Sequence, residues 1–382
     1  MAYLEAQKQQ VQVNRLPRAW GQNGPNQTLP KLLLSGLDSL YVSFYLDTTT
    51  CTIDWDELAY QKEKAGRERN KGFEKLELGT EHLALQPYGK KPYRYVLSNK
   101  LFEVRLSEGL SPSCHVQFFS EALWIHGFEA LTTRFKAWAE SLKLHTLQSE
   151  TVSRADWAFD YHLPNADFAP DHLVSRATKK ATWEEHNIVQ TIQCGTGETV
   201  VRIYDKVAEI EQQSDKAWFH ELWGQKDDVW RVEFQVRGER LKQGGIRTLE
   251  DLTHLQTDLL RELATSHTTL RRPNGDSNRS RWPLHPLWAQ LTKDILQGPQ
   301  MGLMRSYDEM VGVEWRLDRN GKSVHGYLKN MAALLQIFRK CKETLTLEET
   351  ITAMSAIIER HHSEELWRSD VERRVKAIEL GQ

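Results

Sequence analysis

The clearest alternation of polar and apolar positions in the chain covers Val229–Arg237. Every second side chain is large and apolar, and most of those between them are charged or amide groups. A period of two predicts a β-strand with one buried face, because successive side chains of a strand point to opposite sides. The polar face is unusual, since it places the carboxylate of Glu233 between the guanidinium groups of Arg231 and Arg237.

Two further segments, Val152–Tyr161 and Val200–Val207, show the same alternation. Their polar faces carry Arg154, Asp156, Asp160, Arg202, Tyr204 and Lys206. If the three strands share a sheet, three carboxylates, a phenol, an ammonium group and several guanidinium groups converge on one surface. This surface is the main candidate for a functional site.

The rest of the chain adds short strands separated by turn residues, and amphipathic patterns that predict helices at Ser120–Leu144, Pro170–Lys179 and Leu249–Ala264. Successive strands with interspersed helices favour an α+β fold, with a mostly antiparallel sheet and packed helices, followed by a helical C-terminal extension. The predicted divisions are an N-terminal arm at 1–35, the main domain at 36–265, a basic linker at 266–286 and a helical C-terminal domain at 287–382. The linker is placed where Pro and Gly interrupt all periodicity.

Composition narrows the class of protein. The chain of 382 residues has a formal net charge of −2, so any nucleic-acid site has to be a local patch. Its four cysteines are far apart and form no metal-binding pattern, which predicts reduced thiols in a cytoplasmic protein. Because the sequence has no apolar signal segment at its start and no apolar run that could span a bilayer, we expect neither export nor membrane insertion.

The carboxylates of Asp156, Asp160 and Glu233 predict a site for Mg²⁺ or Mn²⁺, since both cations prefer oxygen ligands. Beside such a site, the phenol of Tyr204 could attack phosphorus and form a covalent intermediate once its proton is removed. Lys206 and the arginines would stabilise the developing charge. The same residues also allow a simpler interpretation, in which the carboxylates pair with the arginines and Tyr204, one of eleven tyrosines, is structural.

Three short motifs follow one another along these strands. They are Arg-x-Asp-x-x-x-Asp from Arg154, Arg-Ile-Tyr-Asp-Lys from Arg202, and Arg-Val-Glu-Phe from Arg231. In order and spacing they resemble the replication initiation factor family, the Rep_trans-type rolling-circle initiators of plasmids and phages with related relaxases of integrative conjugative elements. The strand at Leu37–Phe44 and the segment Tyr88–Tyr95 fit the opening of that family, so the resemblance covers roughly residues 36–265.

The resemblance implies a DNA nickase and strand transferase of the bacterial cytoplasm, which cuts a specific origin at a hairpin or single-stranded nick site. Tyr204 would be the nucleophile, linked to a 5′-phosphate and leaving a free 3′-OH primer. Lys206 and Arg231 would contact the phosphate, and the three carboxylates would hold the divalent metal. Host helicase and polymerase would be further partners, and a homodimer is compatible with this role. The arginines expected to contact DNA are Arg154, Arg202, Arg237, Arg271, Arg272, Arg279 and Arg281.

Two other hypotheses stay open. In a metal-dependent nuclease, water attacks the phosphate, and Tyr204→Phe still cuts. In a non-catalytic DNA-binding protein, the three polar faces are ladders of ion pairs. That hypothesis expects no bound divalent ion and a buried Tyr204.

Overall fold

The computed structural model describes residues 29–67, 73–164, 166–185, 188–213, 216, 218–297 and 309–379. The chain forms two compact units, Met1–Arg305 and Ser306–Gln382. Residues 1–28 of the predicted N-terminal arm lie outside the described residues, and the end of that arm already belongs to the first strand.

The strands of the first unit are β1 (Lys31–Leu46), β2 (Glu74–Leu78), β3 (Glu81–Leu85), β4 (Tyr95–Ser98), β5 (Phe102–Leu106), β6 (Cys114–Phe118), β7 (Thr146–His162), β8 (Leu173–Ser175), β9 (Lys180–Glu185), β10 (Ile188–Cys194), β11 (Thr199–Asp205), β12 (Val229–Arg237) and β13 (Thr268–Leu270). Its helices are α1 (Trp55–Arg67), α2 (Ser120–His126), α3 (Phe128–Ser141), α4 (Lys206–Gln213), α5 (Phe219–Trp223), α6 (Gly238–Gln243), α7 (Leu249–Glu262) and α8 (Pro286–Ile295). The second unit contains α9 (Glu309–Arg339), α10 (Leu347–Glu359) and α11 (Glu364–Glu379).

Within the described ranges, eleven strands form one sheet in the order β2-β3-β4-β5-β6-β1-β7-β12-β11-β10-β9, and its neighbouring strands are antiparallel. Strands β8 and β13 form a separate antiparallel ribbon. The predicted α+β fold, with its mostly antiparallel sheet and its helical C-terminal region, is confirmed.

The three strands with alternating sequences are neighbours in this sheet. Arg231 of β12 lies opposite Asp160 of β7 on one side and opposite Tyr204 of β11 on the other. Since the ladders run without a register shift at these residues, the polar positions of all three strands share one face. The condition for a shared polar surface, that the three strands belong to one sheet, is therefore met.

The opposite face of the three strands carries the main hydrophobic core. Phe234 of β12 is fully buried there, and its ring lies 6.2 Å from that of Trp288 in α8. Phe135 and Trp138 of α3 belong to the same core cluster and are also fully buried. Burial of these large apolar side chains on one side of the sheet stabilises the alternating strands, because it removes apolar surface from water.

A smaller apolar cluster lies on the polar side of the sheet. Phe219 and Trp223 of α5 form its centre, together with Val207 and Val229, and Trp124 of α2 packs against it. We call Trp124, Phe219 and Trp223 the aromatic cover. It explains why several charged residues of the polar strands are buried although the sequence pattern predicts one buried face only.

Two predicted helices differ in the structure. Residues Ser120–Leu144 form α2 and α3 instead of one helix, because Gly127 adopts a φ of 75° between them. The helix predicted at Pro170–Lys179 is wrong. A single 3-10 turn at Pro170–His172 leads into β8, which pairs with β13 and leaves Leu173 fully buried.

Residues 266–286, for which the sequence predicts a basic linker, lie inside the first unit. Thr268–Leu270 forms β13, and His285 is buried at the start of α8. The loop between them is hydrogen-bonded to residues of the same unit, through Arg272 to Asp167 and Arg279 to Asp171. The boundary between the two units falls after Arg305. In the part of the chain that the structure describes, no helix has the length and apolar character needed to cross a membrane.

Candidate active site on the polar face

We define the polar face as the side of the sheet that carries Arg154, Arg202, Tyr204, Arg231 and Glu233. On its β11–β12 portion, the phenol oxygen of Tyr204 donates a hydrogen bond of 2.9 Å to Oε2 of Glu233. The second carboxylate oxygen, Oε1, accepts a bond of 2.7 Å from Nη1 of Arg202. The sequence-predicted nucleophile, a carboxylate and a guanidinium group are thus directly connected.

The surroundings of Tyr204 keep its phenol protonated. Only 8 % of the residue is exposed, and burial together with the charge of Glu233 raises its pKa well above its ordinary value. The ammonium group of Lys206 lies 5.6 Å from the centre of the tyrosine ring and pairs with Glu209. Any attack by Tyr204 at neutral pH therefore needs a base, and Glu233 already accepts its hydrogen bond.

Arg231, another predicted phosphate contact, lies in a buried ion-pair network. Its guanidinium group makes two bonds to Asp160, of 2.6 and 2.8 Å, and one of 3.0 Å to Asp38. Neither Arg231 nor Asp160 has measurable exposure. The ring centre of Phe219 in the aromatic cover lies 4.5 Å from the guanidinium carbon. This network ties β12, β7 and β1 together, and its donors and acceptors are already paired.

Asp38 is a central residue of this network that the sequence patterns do not single out. One of its oxygens accepts bonds of 2.8 Å from both Ser120 and Trp124, in addition to the bond from Arg231. Burial alone would raise its pKa, but Arg231, Lys216 and the Trp124 bond together hold that pKa well below its ordinary value. The only sequence signal is that Asp38 is the single charged residue of the strand after Lys31.

Asp156 lies further along β7, beside a different arginine. Arg154 donates to both of its carboxylate oxygens and also makes a 3.0 Å bond to Gln235. Burial raises the pKa of Asp156 to about 6, although the Arg154 bonds act in the opposite direction. Gln235 also accepts a bond of 3.2 Å from Arg202, so it links the two arginines across the polar face.

The three carboxylates do not fit the expected Mg²⁺ or Mn²⁺ site. Asp156 accepts hydrogen bonds from Arg154. Both oxygens of Asp160 accept bonds from Arg231, and Asp160 accepts a further bond of 2.9 Å from the indole of Trp223. In the described ranges, no group of three or more His, Cys, Asp or Glu side chains is arranged to hold a metal ion. A hard cation needs several free oxygen ligands, whereas these are committed to guanidinium groups.

The arginines predicted for DNA contact fall into two groups. Arg154 and Arg202 lie on the polar face as described, and Arg237 lies at its edge, at the end of β12. The other group comprises Arg271, Arg272, Arg279 and Arg281. All four lie between β13 and α8, and each forms a hydrogen bond or ion pair with a nearby backbone oxygen or acidic side chain. The second group of arginines therefore does not lie on the strands of the polar face that surround Tyr204.

The fold is similar to that of a rolling circle replication initiator protein from Geobacillus stearothermophilus, with a TM-score of 0.40 and 17% sequence identity, over 70% of this chain and 99% of that chain. No protein-family model matches the sequence, and comparison with curated proteins finds no match. A similarity at this score and identity does not establish a shared function.

Proposed function

We propose that this protein nicks a DNA strand by attack of Tyr204 on a phosphodiester, forming a 5′-phosphotyrosine linkage and a free 3′-OH. The observation that carries the proposal is the bond from the Tyr204 phenol to Glu233, with Arg202 on the other oxygen of the same carboxylate. A phenol becomes nucleophilic when an adjacent base takes its proton. The sequence motifs that resemble replication initiation factors suggest the same chemistry.

In the proposed reaction, Glu233 takes the phenol proton as the Tyr204 oxygen bonds to phosphorus. The bond between phosphorus and O3′ breaks, and O3′ takes a proton from solvent to become the free hydroxyl. Arg202 binds the other oxygen of Glu233, and the ammonium group of Lys206 lies 5.6 Å from the centre of the Tyr204 ring. Their positive charge favours the more negative transition state. The reverse reaction, attack of a 3′-OH on the phosphotyrosine, would transfer the strand.

The experiment uses a library of randomised single-stranded oligonucleotides labelled at the 3′ end, because the fragment that stays on the tyrosine carries that end. The full-length protein is incubated with Mg²⁺, with Mn²⁺ or with a chelator, and label that survives denaturing electrophoresis is measured. We expect label on the wild type and none on Tyr204→Phe. Glu233→Gln removes the general base and should reduce the rate at which label becomes attached to the protein by about 10²–10⁴-fold. Tyr95→Phe, a buried tyrosine outside the polar face, is the matched control.

One observation favours a second candidate, a non-catalytic DNA-binding protein. Tyr204 is buried, and each of the three carboxylates has an arginine partner, as the ion-pair interpretation of the strands expects. The same gels separate the candidates. DNA binding by the wild type without any attached label or cleavage would support the second candidate and overturn the first. Cleavage by both the wild type and Tyr204→Phe, with no attached label, would indicate attack by water.

A further inference from the structure

The polar face contains an open cleft that lies apart from Tyr204. Its volume is about 230 Å³, and we call it the arginine cleft. It is lined by Tyr41, Arg105, His115, Ser153, Arg154 and Arg237. These residues come from five adjacent strands, β5, β6, β1, β7 and β12. A register shift between β1 and β7 leaves Ser153 as an extra residue beside Tyr41, and a bulge of this kind re-aims the neighbouring side chains.

The charges at the arginine cleft favour an anionic ligand. Arg237 is exposed, and across the described parts of the chain its guanidinium group makes no ion pair or side-chain hydrogen bond. Arg154 and Arg105 pair with Asp156 and Glu103, respectively, but neither of these carboxylates lines the cleft. Three guanidinium groups thus border a solvent-accessible space, and guanidinium forks match the oxygens of a phosphate group.

Aromatic rings continue from the cleft along the polar face. The ring of His115 lies between Tyr41 and Tyr93, with a centre-to-centre distance of 6.1 Å to each. Burial, helped by Arg105, lowers the pKa of His115 to about 4, so its ring is neutral at pH 7. Tyr41 and Tyr93 are only partly buried. A row of partly exposed neutral rings beside cations offers stacking surfaces next to phosphate contacts.

We propose that the arginine cleft binds a backbone phosphate of single-stranded DNA while the Tyr41–His115–Tyr93 row stacks on an adjacent base. The inference rests on the proposed function, in which the substrate is DNA. Single-stranded nucleic acids are bound by such combinations of basic grooves and aromatic platforms, because every base has a π face and every linkage carries a charge. The contact does not read sequence, and it holds the strand wherever the nick site lies.

The arginine cleft and Tyr204 lie at different positions along β12. Tyr204 lies opposite Arg231, and Arg237 is six positions further along β12. At about 3.3 Å per residue, the two points are roughly 20 Å apart along the strand direction. One phosphate cannot reach both positions. The arginine cleft therefore binds a second phosphate of the strand whose scissile phosphate lies at Tyr204.

The test measures fluorescence anisotropy of a labelled thymidine homopolymer, which has no secondary structure, with the full-length protein over a range of salt concentrations. Arg237→Gln removes an exposed cation, and Tyr93→Leu removes a stacking ring. We expect Arg237→Gln to weaken binding and to reduce the slope of log K against log salt by about 0.7, the value for one contact to a single strand. Tyr93→Leu should weaken binding at least about fivefold.

Arg176→Gln is the matched control, because Arg176 is exposed, follows β8 and does not line the cleft. Thermal unfolding of each variant establishes that the comparison is between folded proteins. If the wild type binds the oligonucleotide but Arg237→Gln and Tyr93→Leu bind as Arg176→Gln does, the cleft assignment is overturned while the proposed function stands. If the wild type does not bind single-stranded DNA at all, the proposed function fails together with the cleft.

Discussion

Arg231 and Asp160 form a two-point ion pair that is completely shielded from solvent, with Nε 2.6 Å from Oδ1 and Nη2 2.8 Å from Oδ2. The third donor of the same guanidinium group binds Asp38, a residue 193 positions away in the chain. Burying charges is costly, so such a group is stable only while every partner is present. The network therefore fixes the relative positions of β1, β7 and β12 beneath the aromatic cover.

Replacing Arg231 with Met should lower the free energy of unfolding by about 3–5 kcal/mol, because Asp160 and Asp38 then stay buried without their cation. Arg202→Met is the matched variant, since the Arg202 side chain is 27% exposed and also pairs with a carboxylate of the polar face. It should cost no more than about 2 kcal/mol. Urea denaturation measures both. Equal losses in the two variants would contradict a special role for the buried network.

The His115→Gln variant should change how stability depends on pH. Burial lowers the pKa of His115 from 6.5 to about 4, so between these values the unfolded chain binds a proton that the folded chain does not. Stability is therefore lost as pH falls through this window, by up to about 1.4 kcal/mol per pH unit, and the contribution is fully present above it. The His115→Gln variant has no imidazole at this position, so this part of the decrease in the free energy of unfolding is absent.

Urea denaturation of the wild type and His115→Gln at several pH values between about 7 and 4 measures the difference. The variant should gain stability relative to the wild type as the pH falls. Replacement of His126, which is exposed at the end of α2, serves as the control and should leave the pH dependence close to that of the wild type. A constant difference between His115→Gln and the wild type across the range would refute the prediction.

Gly195→Ala should destabilise the turn between β10 and β11. Gly195 has a φ of 89°, and a Cβ atom there would lie 2.1 Å from the carbonyl oxygen of Thr199. The left-handed backbone alone costs an alanine about 1–2 kcal/mol, and the backbone clash adds to this. Gly197→Ala in the same turn is the control, since its Cβ would meet nothing within 4 Å. Thermal and urea unfolding should show a loss of about 2 kcal/mol or more for Gly195→Ala alone.

The sequence predicted the α+β fold and the three polar strands themselves, because period-two alternation is a local signal, whereas their pairing in one sheet entered only as a condition. The Val229–Arg237 alternation matches β12 residue for residue. It also predicted that Tyr204 and Glu233 would share one face, which their hydrogen bond confirms. The roles of these residues in a reaction stay predictions.

What the sequence could not supply is the choice of partners. The carboxylate of Asp160 lies on the predicted face, but its engagement by Arg231 and Trp223 depends on α5 folding over that face. Trp124 and Asp38 meet through segments 86 positions apart. Likewise, the composition of residues 266–286 indicates turns but not that Thr268–Leu270 pairs with β8. Contacts set by tertiary structure leave no periodic signal in the chain.

Gly127 separates α2 from α3, and this break assigns neighbouring aromatic residues to opposite sides of the sheet. Trp124 joins the cover above Arg231, whereas Phe135 enters the main core beneath the strands. Only one residue joins the two helices. Unfolding of the aromatic cover would therefore displace α3 as well, and unfolding of the main core would displace α2. We therefore expect the two cores of the first unit to melt as a single cooperative block rather than in separate steps.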